Sequence, residues 1–170
     1  MHKPDRPIKS FLAPLRTLMR SIRLLYHRVE LGRKLSYGNN VFFGRRCSMF
    51  PPQRLAIGND VAIGAGFHLE TNLEIGNEVL ISSHVSIVGN DHRFDDPNRS
   101  IFYAGRLPPS SVVIEGDNLI GHRVIIVGNV RIGRGCIVGA GSVVTKDLPP
   151  NSICYGIPAR LRKPRFLAAP

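Results

Sequence analysis

The stretch SIVGNDHRFDD, residues 86–96, holds a single imidazole, His92, between the carboxylates of Asp91 and Asp95. An unperturbed imidazole titrates near pH ~6.5, so it can take a proton from a hydroxyl and later deliver one to a leaving group. Asp91 and Asp95 are candidates to orient the ring, and a backbone carbonyl would serve equally well. A lone histidine in a loop most often only completes a turn. This one stands where a regular aliphatic rhythm stops and where residues 93–113, which lack that rhythm, begin. Loops of such length in a compact domain are usually functional or disordered, and 93–113 is read as a lid or wall of an active site. No Ser or Cys sits in a nucleophile motif. What remains is a histidine that could serve as a general base.

The elements that must hold His92 show as a repeat of six. Ile57, Ile63, Leu69, Ile75, Ile81 and Ile87 follow one another at that step, and Ile114, Ile120, Ile126, Ile132, Val138 and Val144 keep it after the loop. A second apolar or small residue recurs four positions on, from Val61 to Val85 and from Val124 to Leu148. Such a stripe would drift around a helix, and the glycines that follow many of the aliphatics would weaken one. Short strands joined by corners fit. Three units make one coil, and stacked coils make a triangular prism with a dry aliphatic interior. A less regular first coil is expected over residues 37–54, where YGNNVF and FGRRCS share the pattern and MFPPQR disturbs it.

The two ends differ from this body. Among the 170 residues the formal charge is +11, yet residues 35–159 hold ten basic and ten acidic residues and are neutral. Residues 1–34 carry nine Lys or Arg against Asp5 and Glu30, and 160–165 add Arg160, Arg162, Lys163 and Arg165 without a nearby acid. Two basic ends on a neutral body argue against a nucleic-acid protein with a continuous phosphate-tracking face. Phe11, Leu15, Leu18, Ile22, Leu25 and Val29 recur at helical steps, with Pro14 near the start of the helix and arginines on other faces. This helix is expected to pack on the prism; the competing expectation is peripheral contact of residues 1–34 with an acidic membrane. Arg16, Arg20 and Arg23 break every apolar stretch before signal-peptide or membrane-span length. Cys47, Cys136 and Cys154 are too few and too scattered for a disulfide framework, so a cytoplasmic protein is expected. The expected organisation is a basic helical segment 1–36, a prism 37–159 with its loop 93–113, and a basic tail 160–170.

The block IGRGCIVGAGSVVTKDLPPNSICYGIPARLRK, residues 132–163, resembles the carboxy-terminal signature of the hexapeptide-repeat acyltransferases. VGNDHRFDD, then a loop and IEGDNLIGHRVIIVGNV, is similar to the centre of that family's O-acetyltransferase branch. The resemblance covers about residues 37–165. It implies an all-β fold, a left-handed parallel β-helix, to which the spacing of the residues adds a short amino-terminal helix and a protruding loop. It also implies a homotrimer with active sites in the clefts between prisms, acetyl-CoA as donor and His92 as catalytic base. Gly139, Ala140 and Ser142 would line the pantetheine arm, Thr145 and Lys146 would contact its far part, and Arg160 with Lys163 would meet the adenosine phosphates. His122 takes the place of a small residue near the thioester, and Leu119 replaces a frequent Trp of the acceptor site. The family's acetyl-contacting Asn falls near Glu70 or Asn72. The expected activity is O-acetylation of a saccharide, free or lipid-linked, in surface-polysaccharide biosynthesis.

The alternatives are N-acetylation of an amino sugar and a non-catalytic trimeric scaffold. A zinc hydratase on the same prism would need three histidines, two of them five residues apart. Val127 stands five residues after His122, and His84 with His92 does not complete the set, so no metal is expected.

Overall fold

Short, β-branched segments with a left-handed residue at most corners wind into a left-handed parallel β-helix of about six turns. The computed structural model describes residues 13–89 and 91–166. Three walls result. The first stacks Leu35–Tyr37, Leu55–Ile57, Asn72–Asn77, Ser111–Gly116 and Val130–Ile132. On the second lie Phe42–Phe43, Val61–Ile63, Val79–Ile81, Leu119–Ile120, Ile137–Val138 and Ser152–Gly156, with Ala159–Pro164 closing it as an antiparallel hairpin. The third stacks Ser48–Met49, His68–Leu69, Ser86–Val88, Ile125–Val127 and Val143–Val144.

Both six-step series point inward, every member 5% exposed or less, and the second residues of the units, from Val61 to Val85 and from Val124 to Leu148, are equally buried. Stacked coils share one continuous core, so stability is carried by neighbour-on-neighbour burial; a fully buried Ile or Leu contributes about 1.5–3 kcal/mol. Asn40, Asp60, Glu78, His84, Asp117, Arg123 and Asn151 turn corners at positive φ, several of them the residue types that tolerate it best. Asparagine amides staple successive coils: Asn59 Oδ1 accepts from the Asn39 N–H and Asn77 Oδ1 from the Asn59 N–H, both at 2.8 Å.

The first coil begins at Leu35, slightly before the expected boundary; Tyr37, Phe43 and Met49 keep a six-step beat within it, and two extra residues before Ile57 lengthen the coil. The loop closes at Ser110, earlier than expected. Val112 fills the second inward slot of a unit whose first aliphatic is replaced by Pro108, so the wall resumes before the beat does.

A helix, α1 (Ala13–Leu31), precedes the prism, with Pro14 in its first turn, where a missing N–H costs nothing. The helix packs on the prism, but through other residues than the expected apolar series. Leu15, Leu18, Ile22, Leu25 and Val29 are 50–76% exposed, while Leu24, His27 and Leu31 meet the core. Phe11 lies outside the described residues. The prism offers only the open end of one coil, so just the last two turns find apolar partners. His27 sits 4.9 Å from the Phe43 ring and pairs with Glu30 at 3.0 Å, and the Arg20 guanidinium lies 4.3 Å over Phe42. The basic tail is likewise structured: Ala159–Pro164 pairs with Ser152–Gly156, and Arg165 reaches Asp117 at 2.7 Å.

Candidate active site

His92 follows the strand Ser86–Val88 at the edge where the third wall turns into the first. There the chain leaves the prism as a loop with a short antiparallel root. The Arg93 N–H donates to Gly105 O and the Leu107 N–H to Asp91 O, both at 2.9 Å, and His92 bridges Arg106 between them. The Ser110 hydroxyl donates to Gly89 O and closes the base. The His92 side chain is thus exposed on a braced stem rather than on a free loop. Of the two proposed orienting carboxylates, Asp95 pairs with Arg93 at 3.9 Å. Beyond the stem, Phe94, Ile101, Phe102 and Tyr103 are all exposed.

The residues assigned to the donor separate into three groups. His122, Gly139 and Ala140 lie at the corner between the second and third walls, on the other side of the third wall from His92. Thr145 and Lys146 follow Val143–Val144 and share the edge of His92. Arg160 and Lys163 lie on the terminal hairpin.

At the second corner, Gly44, Gly64, Ser82, Gly121 and Gly139 stack in one row, each N–H bonding to the coil above at 2.7–2.9 Å. A Cβ on Gly139 would come within 2.8 Å of Tyr155 Cβ, so the close coil approach alone requires glycine there. Ser142 is buried; its hydroxyl donates to Gly139 O at 2.7 Å and accepts from the Gly156 N–H at 3.1 Å, which commits it to bracing the corner. The exposed His122 ring meets the His84 ring edge-to-face at 5.6 Å, one coil away from Ala140. Among the described residues no group of three His, Cys, Asp or Glu converges as a metal cage. Leu119 is a rung of an outward apolar ladder on the second wall: Phe42, Ala62, Leu80, Leu119, Ile137 and Ile153.

Near the acetyl-contacting position, Asn72 Oδ1 accepts from the Gln53 and Arg54 N–H groups at 2.9 Å each, a staple between coils. Glu70 instead pairs with His68 at 3.0 Å on the third wall, where His68–Leu69 is the strand next to Ser86–Val88, the strand that precedes His92. Cys136 and Cys154 are fully buried, and Cys47 is half-buried. Burial pushes the Cys136 thiol up to about 12, and burial likewise raises Cys47.

Tyr155 carries no signal of spacing or motif, and Arg162 shows in the sequence only as one cation of the basic tail. A register shift in the hairpin between Ile153 and Cys154 brings the Arg162 guanidinium 5.0 Å over the Tyr155 ring. Nothing in a linear pattern signals such a bulge, although the basic run around it is visible.

The six-repeat bacterial transferase hexapeptide model matches residues 111–146, the coils that follow the loop. Over 145 residues the chain is 30% identical to the galactoside O-acetyltransferase of Escherichia coli (strain K12), covering 79% of this chain and 70% of that one. The chain belongs to the hexapeptide-repeat acyltransferases. A second member of the family, the galactoside O-acetyltransferase of Lactococcus lactis, is 31% identical over 129 residues, which cover 71% of this chain and 61% of that one. The family's N-directed side is represented by AntD, an N-acyltransferase from Bacillus cereus solved with dTDP and 3-hydroxybutyryl-CoA. It superposes with a TM-score of 0.68 at 27% identity, covering 79% of this chain and 74% of that one.

Proposed function

We propose that the protein is an acetyl-CoA-dependent O-acetyltransferase that modifies a saccharide hydroxyl during surface-polysaccharide assembly, acting as a homotrimer with His92 as general base. The observation that carries this reading is the placement of His92 on a braced stem at one edge of the third wall, with the corner of His122, Gly139 and Ala140 at the other. A second copy laid alongside would bring one chain's His92 against its neighbour's corner. His92 takes the proton of the acceptor hydroxyl as that oxygen attacks the thioester carbonyl, the carbon–sulfur bond breaks, and the imidazolium returns the proton to the thiolate. The corner of small residues suits a pantetheine arm, and Arg160 and Lys163, which form no ion pair with a carboxylate among the described residues, suit phosphates. Thr145 and Lys146 stand beside His92's edge and serve the far part of the arm.

The exposed apolar face of α1, set among arginines, favours a lipid-linked acceptor met at an acidic membrane surface. No helix among the described residues is long and apolar enough to cross a membrane, so this contact would be peripheral. N-acetylation of an amino sugar is the rival reading, because the same base serves an amine and AntD is an N-acyltransferase. Incubation with acetyl-CoA and a panel of hydroxyl and amino sugars, lipid-linked precursors included, with thiol release as the readout, decides. Turnover confined to amino sugars favours the rival. Failure to bind acetyl-CoA reduces the chain to a scaffold.

A further inference from the structure

We propose that Tyr155, with Arg162 stacked upon it, is the platform that holds the adenine base of the donor. This rests on the acetyl-CoA reading above and adds a ligand-recognising residue to it. The row of small residues at the second corner runs through Gly121 and Gly139, and the Gly139 N–H bonds to Cys154 O at 2.8 Å, so the next rung of that row is Tyr155. From the Gly121 rung to Tyr155 is two coil steps, about 10 Å. A track of backbone and hydrogen atoms therefore ends against an aromatic ring.

The local sequence explains why the ring faces out. In Ser152–Gly156 the alternation buries Ser152 and Cys154 and leaves Tyr155 48% exposed. The bulge in the hairpin then sets the Arg162 guanidinium 5.0 Å from the ring centroid, while Arg162 Nε donates to Tyr155 O at 3.2 Å. Arg160 stands directly opposite Tyr155 in the ladder and Lys163 opposite Ile153, which places both on the same outer side. Among the described residues no carboxylate forms an ion pair with Arg160, Arg162 or Lys163. A flat π surface braced by a guanidinium, with two further cations beside it, matches a purine carrying phosphates. Bases stack on aromatic rings and on guanidinium planes, and phosphates pair with arginine and lysine. A tyrosine kept only to cover Gly139 would need its Cβ, not its ring.

The test compares donors with and without adenosine. The parent protein, Tyr155→Ala, Tyr155→Phe and Arg162→Met are titrated with acetyl-CoA by calorimetry and with a fluorescent 1,N6-etheno analogue of CoA. Their rates of thiol release are then measured with acetyl-CoA and with S-acetylpantetheine. Expected results are an acetyl-CoA Kd about tenfold weaker for Tyr155→Ala, loss of the etheno fluorescence change, and an acetylpantetheine rate little altered. Tyr155→Phe keeps the parent affinity, because the ring and not the hydroxyl stacks. Arg162→Met, which retains an apolar stem, weakens acetyl-CoA several-fold and guards against misfolding of the alanine variant. Unchanged acetyl-CoA affinity in Tyr155→Ala overturns the platform, as does an equal loss on both donors. Either result leaves the acetyltransferase reading standing, whereas a parent that binds no acetyl-CoA removes both.

Discussion

His92 and Gly139 show two ways in which a residue type is fixed. His92 is set by chemistry: its side chain is exposed on the loop stem, and no packing demand of the prism requires an imidazole there. We expect His92→Ala to lower acetyl transfer by at least ~100-fold, the low end for removal of a general base, while circular dichroism and acetyl-CoA affinity stay at parent values. Activity within a few-fold of the parent would refute the assignment. Gly139 is set by packing, since the coil above it leaves no room for a Cβ. Gly139→Ala should therefore destabilise by about 1–3 kcal/mol, read as a lower melting temperature in the absence of any ligand. A variant that melts with the parent and loses only donor affinity would instead make the glycine a cofactor residue.

The helix and the hairpin cap the two ends of a solenoid, and each carries charge outward. Terminal repeats of such stacks need a covered inner face and a soluble outer one. At the amino-terminal end, α1 gives its last two turns to the prism through His27 and Leu31, and leaves Leu18, Ile22 and Leu25 in the open. Basic side chains near an anionic bilayer contribute about 1 kcal/mol each, and an apolar face beside them can enter the headgroup region. The parent is expected to float with anionic vesicles at low salt, to release as salt rises, and to ignore neutral vesicles. Because the three residues are exposed, Leu18→Glu, Ile22→Glu and Leu25→Glu together should abolish flotation without lowering thermal stability. Flotation unaffected by these changes would assign the contact to charge alone.

In the whole molecule the walls differ in what they offer to another copy. The second wall presents the ladder from Phe42 to Ile153, with Leu80 and Leu119 among its exposed rungs, whereas Glu74 and Arg131 project from the first. An apolar stripe of this length on a solenoid is a surface for association. If the active site forms between copies, a mixture of His92→Ala and Ala140→Asp proteins should recover activity that neither has alone. Random exchange at equal amounts makes about a quarter of the interfaces intact. No recovery after refolding the two together would place the whole site within one chain. Leu80→Glu with Leu119→Glu should sediment as a folded monomer lacking transfer activity.

Much of the fold was written in the sequence because a coil corner depends on local residues. The inward residues from Ile57 to Ile87 and from Ile114 to Val144, the interruption after His92 and the amino-terminal helix follow from spacing six or fewer residues apart. Family likeness supplied the handedness and the donor, since periodicity specifies a prism and not its hand, and it is also the ground on which His92 is proposed as the base. Tertiary structure decided what depends on residues a coil or more apart. It set which helix face meets the core, because only one coil end was free to receive it, and it turned Ser142 inward to brace two coils. It drew Arg165 to Asp117, 48 residues away, and set Arg162 over Tyr155 through a bulge. It also placed His92 and the Gly139 corner on opposite edges of one wall, a separation that arises only when consecutive residues are wound around a prism.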